Sequence, residues 1–365
     1  MDLAPCVTMT VVEQSYYLLS AIGAFALCLA LHALVLWFFP KLGLLDFPER
    51  YGLKRARLPY PSGVAAVVAG VIALLFLWTP TTQSLSVVGA AAALGVVCFI
   101  DDRVRLPAWV RLVLQLLIGF GLFLAGTRVY SFTNPFEGFL GGAVIPLDSW
   151  GVTLPFVPFP VPVWSGVFTV LWICLTVNAL NWFDGIPGQT SAVSTLAFLT
   201  IGLLSASSRV NQPEIALAAF ALAAIAFASL LFDFPPPKVV LGDTGVMFFG
   251  LMLGVLTIYA GGKVATAFLA LGVPLTDASA VALRRLMAGR SPLQGSQAGE
   301  HLHHRLLAAG WSPRQIVLST AAVGAAFGGT ALFLNTTEKF IAGALLVAMV
   351  LLVSWRVRPV EKKAA

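Results

Sequence analysis

The chain has 365 residues, of which 59% are hydrophobic and only 10% are charged, and its formal net charge is +6. Soluble domains carry about 25% charged residues, so this composition excludes an ordinary soluble enzyme. It also excludes a disulfide scaffold, because the four cysteines lie far apart and three of them fall inside apolar runs. We therefore expect a polytopic membrane protein.

Apolar runs long enough to cross a bilayer recur along the whole chain. A membrane helix needs about 20 apolar residues, and continuous rather than alternating runs favour helices over a barrel. The sequence therefore predicts an all-α protein with about eleven transmembrane helices in one integral membrane domain, residues 1–365. The predicted spans are 17–39, 62–79, 84–100, 107–126, 163–182, 190–207, 214–232, 240–260, 264–283, 314–334 and 340–356.

The basic residues predict the orientation of these spans. Residues 1–16 contain two acids and no Lys or Arg, which is unlike the cationic start of a signal peptide. With the N-terminus outside, all Lys and Arg but four fall in or beside cytoplasmic segments, as the positive-inside rule requires. The charge is thus explained by topology, and we expect no nucleic-acid partner. Residues 127–162 are predicted to be an external loop rich in Pro and aromatics, and residues 284–313 a cytoplasmic loop rich in His and Arg.

The acidic residues provide an independent check of this orientation, because the orientation follows from Lys and Arg alone. Six aspartates fall at cytoplasmic span ends or in cytoplasmic loops. Carboxylates at membrane depth are costly unless they pair, bind a cation or face water, so we expect a shared cytoplasmic cleft. The six are Asp46, Asp101, Asp102, Asp184, Asp243 and Asp277.

Two of the polar motifs lie at predicted helix ends. Asp101 and Asp102 directly precede a predicted helix, where they could cap it, bind a divalent cation or share a proton. Asn178, Asn181 and Asp184 are spaced by three, which places them on one face if the helix continues. A plain polar helix end is the alternative interpretation of this second motif.

Two further acids lie at the start of a span and inside one. Asp243 stands between Gly242 and Gly245, where backbone N–H groups could approach an anion or where the aspartate could simply cap the helix. Asp277 follows Pro274 by one turn, and a proline kink inside the span would direct this acid into the same cleft.

The longest cytoplasmic loop carries three of the four histidines within four positions, followed by an arginine. A zinc site is disfavoured, because no cysteine and no HExxH sequence lie nearby. Imidazole and guanidinium groups beside acids are better suited to phosphate binding. The four residues are His301, His303, His304 and Arg305.

Taken in order, these motifs resemble those of the polyprenyl-phosphate N-acetylhexosamine-1-phosphate transferases, over about residues 40–320. The His-x-His-His-Arg form is similar to the WecA/TagO branch rather than to the MraY branch. The matching segments are Gly43-Leu-Leu-Asp46, Pro59-Tyr-Pro61-Ser-Gly63, Asp101-Asp102-Arg103, Asn178-x-x-Asn181-x-x-Asp184-Gly185, Gly242-Asp243-Thr244-Gly245, Pro274-Leu-Thr-Asp277 and His301-Leu-His303-His304-Arg305.

The resemblance implies an enzyme of the bacterial inner membrane that acts at the cytoplasmic face. Such enzymes transfer a sugar 1-phosphate from a UDP-N-acetylhexosamine, here expected to be UDP-GlcNAc, to a polyprenyl phosphate and release UMP. They use Mg²⁺, with Mn²⁺ as an alternative. The resemblance leaves the mechanism open between direct transfer and a covalent aspartyl phosphate. It also leaves the oligomeric state open between a monomer and a homodimer.

The resemblance also implies residue roles. Asp243 is expected to bind the metal, and Asp101 or Asp102 to deprotonate or orient the lipid phosphate. The other expected substrate-binding residues are Asp46, Lys54, Arg57, Asn178, Asn181, Asp184, Asp277, His301, His303, His304 and Arg305.

Three positions depart from the family pattern. Pro187 stands where a second acid usually follows Asp184, Val246 replaces a hydroxyl residue, and Ala56 stands near a usual histidine. These changes leave another UDP-HexNAc derivative or UDP-MurNAc-pentapeptide open as the donor. Outside this reaction, the alternatives are an ion-coupled transporter and an inactive homologue.

Overall fold

The computed structural model describes residues 11–51, 55–134, 144–153, 155, 160–208, 210–260, 268–291 and 299–357. Helices dominate this part of the chain, which confirms the predicted fold class. They are α1 (Val11–Phe38), α2 (Val64–Leu77), α3 (Thr82–Val104), α4 (Ala108–Leu124), α5 (Val163–Phe183), α6 (Gln189–Ala206), α7 (Pro213–Asp233), α8 (Gly242–Tyr259), α9 (Gly272–Met287), α10 (Leu302–Ala308), α11 (Pro313–Ala331) and α12 (Thr336–Arg356), with a 3-10 turn at Pro48–Tyr51.

Ten of the eleven predicted spans correspond to one helix each. Among the described residues, seven helices are long and apolar enough to cross a membrane, and α2 and α4 are shorter apolar helices. Large apolar side chains such as Leu18, Phe76 and Trp355 are exposed on the outside, as expected for surfaces that face lipid. The chain is therefore a multi-pass membrane protein.

The ninth predicted span is interrupted near Pro274. The chain turns at Leu271, and α9 starts at Gly272. Pro274 therefore lies in the first turn of a helix, where its missing N–H leaves no hydrogen bond unmade. Residues 268–270 are helical as well, so the break at Leu271 lies three residues before Pro274, where the predicted kink is expected; residues 264–267 of this span lie outside the described residues.

The predicted external loop contains short strands. β1 (Ser131–Thr133) pairs antiparallel with β2 (Val144–Pro146), and β3 (Gly151–Val152) pairs antiparallel with β4 (Val161–Pro162). Proline cannot continue a helix, which is why the segment rich in proline adopts extended structure here.

Helix α8 lies at the centre of the protein and is buried along almost its whole length. It packs against α2, α3, α5 and α6. The crossing with α2 is close because Gly63 faces Gly245: a Cβ on Gly245 would lie 2.8 Å from the Gly63 Cα. Small residues allow such close backbone approach between membrane helices.

This crossing gives a first prediction. A Cβ on Gly63 would collide with the Gly245 backbone, so Gly63→Ala should lower the free energy of unfolding by about 1–3 kcal/mol. Gly89→Ala is the matched control, because nothing lies within 4 Å of a Cβ there. The measurement is the thermal unfolding temperature of each variant in detergent. Equal unfolding temperatures would show that the close crossing is not required.

The helix ends on one side of the protein position the polar motifs. The turns after α1, α3, α5 and α7 all contribute to one large cavity, and so does the start of α8. The opposite ends, at 78–84 and 211–215 with Tyr259, line a different and smaller groove. The alternating direction of successive helices thus gathers five separate stretches of sequence at one end.

Candidate active site

The cavity at this end has a volume of about 810 Å³ and contains most of the predicted acids. Asp46, Asp101, Asp102, Asp184 and Asp243 all line it, although they come from five positions spread over nearly 200 residues. The charged residues of its wall are Asp46, Asp101, Asp102, Asp184, Asp233, Asp243, Arg55, Arg103, Arg105 and Arg111. Acids and arginines therefore share one cavity, which suits a phosphorylated ligand together with a cation.

Asp102 caps helix α8 from a different helix. Its Oδ1 accepts hydrogen bonds from the Tyr60 hydroxyl at 2.5 Å and from the Asp243 backbone N–H at 2.9 Å. Its Oδ2 accepts from the Thr244 N–H at 3.0 Å and from the Thr244 hydroxyl at 2.6 Å. A carboxylate at a helix N-terminus is favoured by the free N–H groups and by the helix dipole. Both oxygens of Asp102 are thus engaged in holding the start of α8.

Gly242 makes this close approach of Asp102 to α8 feasible. Its φ is +75°, a conformation that side chains disfavour, and a Cβ would lie 2.8 Å from an Asp102 oxygen. The glycines of this motif therefore allow two close approaches. Gly242 admits the Asp102 carboxylate, and Gly245 admits the start of α2. This differs from both sequence-based expectations, which are an external anion at these N–H groups and capping of the helix by Asp243 itself.

Arg111 connects the two other central acids. Its Nη1 lies 2.7 Å from Asp243 Oδ2 and 3.2 Å from Asp101 Oδ2. Asp101 also accepts a 2.6 Å hydrogen bond from the Leu106 backbone N–H, so it closes the turn between α3 and α4. A guanidinium between two carboxylates offsets their mutual repulsion in the poorly solvated wall of the cavity.

The asparagine motif splits between two places. Asn178 donates to Gln115 Oε1 at 2.5 Å and to the Cys174 carbonyl at 2.8 Å. Asn178 and Asn181 line a small pocket that Arg111 separates from the main cavity. Asp184 follows the last residue of α5 and lines the main cavity itself.

Asp184 lies among other acids. Burial, together with the charges of Asp233, Asp243 and Asp102, raises the pKa of Asp184 to about 8. No described base forms an ion pair with it, since the described salt bridges involve other carboxylates. A bound cation would offset these effects and favour the ionised form.

The three histidines form one ring cluster beside Asp184. The imidazoles of His303 and His304 have centroids 4.2 Å apart, and His301 stacks on His303 at 5.6 Å. His303 touches the cavity wall, because a Cβ on Gly185 would collide with its imidazole. Burial and the neighbouring imidazoles lower the pKa of His303 to about 3. His303 is therefore neutral at pH 7 and can offer a hydrogen bond but no positive charge.

Asp277 holds the histidine cluster in position and does not line the cavity. Its Oδ2 lies 2.8 Å from His301 Nδ1, and its Oδ1 accepts from the Leu302 backbone N–H at 2.9 Å. Both Asp277 and His301 are buried. Asp277 thus fixes the start of α10 and one ring of the cluster.

The remaining predicted residues take other partners. Asp46 pairs with Arg55 at 2.5 Å. Arg57 lies 3.3 Å from Glu49, and Arg305 donates to the Ser354 carbonyl at 2.7 Å. Neither Arg57 nor Arg305 lines the cavity, so their binding of phosphate stays a prediction, and Lys54 lies outside the described residues.

Several residues of the cavity were not singled out from the sequence. Arg111 and Arg55 appeared only as topological charges, and Tyr60 only as part of a resemblance. Asp233 ends a span on the same side as the other acids, so the rule that found those acids could have found it. The positive charges of the cavity wall are those of Arg55, Arg103, Arg105 and Arg111, whereas the sequence predicts the histidines in this role.

The donor set fits a divalent cation that binds together with a substrate. Among the described residues, no three His, Cys, Asp or Glu side chains converge as a ready-made metal site. Mg²⁺ is commonly held by one or two carboxylates, water and substrate phosphates. Asp233 Oδ1 is buried and has no described hydrogen-bond partner, which is the kind of oxygen a cation could use.

Comparison with known proteins agrees with these motifs. The family model described as glycosyl transferase family 4 matches residues 84–261. A Bacillus subtilis (strain 168) protein named as a probable undecaprenyl-phosphate N-acetylglucosaminyl 1-phosphate transferase is 28% identical over 86% of this chain and 83% of its own.

Two enterobacterial proteins, each named as an undecaprenyl-phosphate alpha-N-acetylglucosaminyl 1-phosphate transferase, are also similar. The one from Yersinia pestis is 29% identical over 77% of this chain and 74% of its own. The one from Escherichia coli (strain K12) is 26% identical over 89% of this chain and 86% of its own. The chain is thus similar to glycosyl transferase family 4 proteins within residues 84–261, and it resembles WecA/TagO-like transferases over most of its length.

Proposed function

We propose that the protein transfers N-acetylglucosamine 1-phosphate from UDP-GlcNAc to undecaprenyl phosphate and releases UMP. The observation that carries the proposal is the single cavity in which Asp101, Asp102 and Asp243 meet Arg111 at the ends of separate membrane helices. The names of the similar proteins support the same donor group and acceptor lipid.

The reaction joins two anions. An oxygen of the lipid phosphate attacks the β-phosphorus of the donor, and the bond between the α–β bridging oxygen and that phosphorus breaks, with its electron pair leaving on UMP. Guanidinium groups in the cavity wall, such as Arg55, Arg103 and Arg111, offset the negative charge of both reactants.

The two neighbouring acids have different roles in this proposal. Asp102 positions α8 and with it Asp243, because all its described hydrogen bonds come from Tyr60 and the start of α8. Asp101 also uses both oxygens, for the Leu106 N–H and for Arg111, so in this proposal it orients the lipid phosphate through Arg111.

Asp243 would hold a Mg²⁺ or Mn²⁺ ion in this cavity, with Asp184 near it. When bound, such an ion supplies Lewis-acid stabilisation of the diphosphate charge. The side chain of Asn181 lies close to Asp243 and would help to orient its carboxylate. The His303 imidazole, neutral at pH 7, would donate a hydrogen bond to a phosphate oxygen.

We place the cavity at the cytoplasmic face of the bacterial inner membrane, with the N-terminus outside. The distribution of Lys and Arg supports this orientation, and so does the cytoplasmic location of a UDP-sugar donor. The lipid tail would lie between the membrane helices.

The direct test is UMP release by purified protein given undecaprenyl phosphate and Mg²⁺. We expect release with UDP-GlcNAc and less with UDP-GalNAc or UDP-MurNAc-pentapeptide. Release with a different UDP-HexNAc alone would revise the donor. No release with any of them, at protein levels where a known transferase works, would reject the proposed reaction.

Asp277 provides a prediction about the histidine cluster. Asp277→Asn keeps an acceptor for the Leu302 N–H but loses the charge beside His301, so the ring is held less firmly. We expect kcat to fall by up to about 100-fold, the effect of a small misplacement in an active site. Thr276→Val is the control, because the Thr276 hydroxyl has no described partner. Equal kcat values for the two variants would contradict a positioning role for Asp277.

A further inference from the structure

Asp233 is a buried carboxylate that the motifs above do not include. It ends helix α7, and only 1% of its surface is exposed. Its Oδ2 accepts a 2.8 Å hydrogen bond from the Ser191 hydroxyl on α6, and the Gly188 backbone N–H lies close to the carboxylate, while Oδ1 makes no hydrogen bond of its own. No described Lys or Arg forms a salt bridge with it. A buried carboxylate oxygen without a partner is costly and calls for a cation or a proton donor.

Asp233 lies beside the loop that departs from the family pattern. A Cβ on Gly188 would lie 3.3 Å from the Asp233 carbonyl oxygen and 3.1 Å from the Phe234 Cα, so the 185–188 loop packs on the end of α7. Asp184, Pro187 and Asp233 all line the same cavity.

We propose that Asp233 supplies the second carboxylate next to Asp184, in place of the acid that Pro187 replaces, and that this carboxylate pair binds the divalent cation. The proposal rests on the proposed function for the identity of the cation's other ligands. The negative charge lost from the loop is thereby restored from a different helix. The bond from Ser191 engages one carboxylate oxygen and leaves the other without a hydrogen bond, in a residue that lines the cavity.

A purely structural role is the alternative explanation of Asp233, since its carboxylate also links α7 to α6 through Ser191. The two roles respond differently to substitution. Asp233→Asn keeps an oxygen that can accept the Ser191 hydrogen bond but removes the charge. Ser191→Ala removes the hydrogen bond but keeps the charge.

The experiment measures Mn²⁺ binding to the full-length protein in detergent by electron paramagnetic resonance, without nucleotide. We expect Asp233→Asn to weaken Mn²⁺ binding by at least about 10-fold, the effect typical of groups that support a metal site. Ser191→Ala should stay within about threefold of wild type. Adding Pro187→Asp to Asp233→Asn should restore most of the affinity, because it returns a carboxylate to the loop.

The outcomes separate this proposal from the proposed function. Unchanged Mn²⁺ affinity in Asp233→Asn, while Asp243→Asn loses binding, would overturn the role of Asp233 and leave the transferase proposal intact. Equal losses in Ser191→Ala and Asp233→Asn would show a structural role only and would overturn it too. UMP release is measured separately, so its failure in the wild type would bear on the reaction and not on the cation pair.

Discussion

Asp243→Asn is expected to lower kcat by at least about 100-fold while the protein still folds and inserts. The substitution removes the charge that faces Arg111 and that would hold the cation, and charge stabilisation of this kind is worth about 2.7–4 kcal/mol at a single contact. Folding should survive, because the start of α8 is held through the Asp243 backbone N–H, which asparagine keeps. The measurements are kcat for UMP release and the unfolding temperature in detergent.

Asp148→Asn is the matched control for this variant. Asp148 is exposed in the predicted external loop and does not line the cavity, so its loss of charge should leave kcat unchanged. Full activity in Asp243→Asn would show that the assignment of Asp243 to the cation is wrong.

Asp102→Ala should reduce both stability and activity. It leaves two N–H groups of α8, the Thr244 hydroxyl and the Tyr60 hydroxyl without their described acceptor. Leaving a buried donor unsatisfied costs about 1–3 kcal/mol, so we expect a lower unfolding temperature in detergent. Activity should fall as well, since Asp243 lies in the first turn that Asp102 holds.

Tyr60→Phe provides the graded comparison, because it removes only one of the four hydrogen bonds to Asp102. Its loss of stability should be smaller than that of Asp102→Ala. An Asp102→Ala protein that is inactive but as stable as wild type would favour a purely chemical role and contradict the capping of α8.

Much of the fold could be predicted because apolar length alone determines which segments cross the membrane. Ten of the eleven predicted spans coincide with one helix each, whereas the ninth is divided at Leu271. Next to this break the chain packs closely on α12, since a Cβ on Gly272 would collide with Leu346, and such a contact between distant residues cannot be read from the sequence. The short strands at 131–133 and 144–146 depend on long-range pairing too.

The residues of the site could be predicted where charged residues are scarce. The prediction failed where a charged residue already had another explanation, such as membrane topology. Asp101, Asp102, Asp184 and Asp243 stood out because acids are rare in apolar sequence, and all four line the cavity. Arg111 was also charged, but topology already explained it, so its bridging position needed the structure.

The functions of individual acids could not be read from spacing. Asp101 and Asp102 are neighbours in sequence, yet one closes the turn before α4 and the other caps α8, more than 140 residues away. Asp277 and His301 likewise meet only through the fold. These are contacts of high sequence separation, which motif spacing does not encode.

In the proposed reaction, a sugar 1-phosphate moves intact to a lipid phosphate. The measurement is the fate of the β-phosphorus of UDP-GlcNAc, labelled with ³²P, in proteoliposomes that contain undecaprenyl phosphate and Mg²⁺. We predict that the label enters the lipid fraction in one-to-one ratio with UMP, as a polyprenyl diphosphate sugar, and that Asp243→Asn prevents this. Label that remains in the aqueous phase as UDP-GlcNAc or as free GlcNAc 1-phosphate would contradict the account.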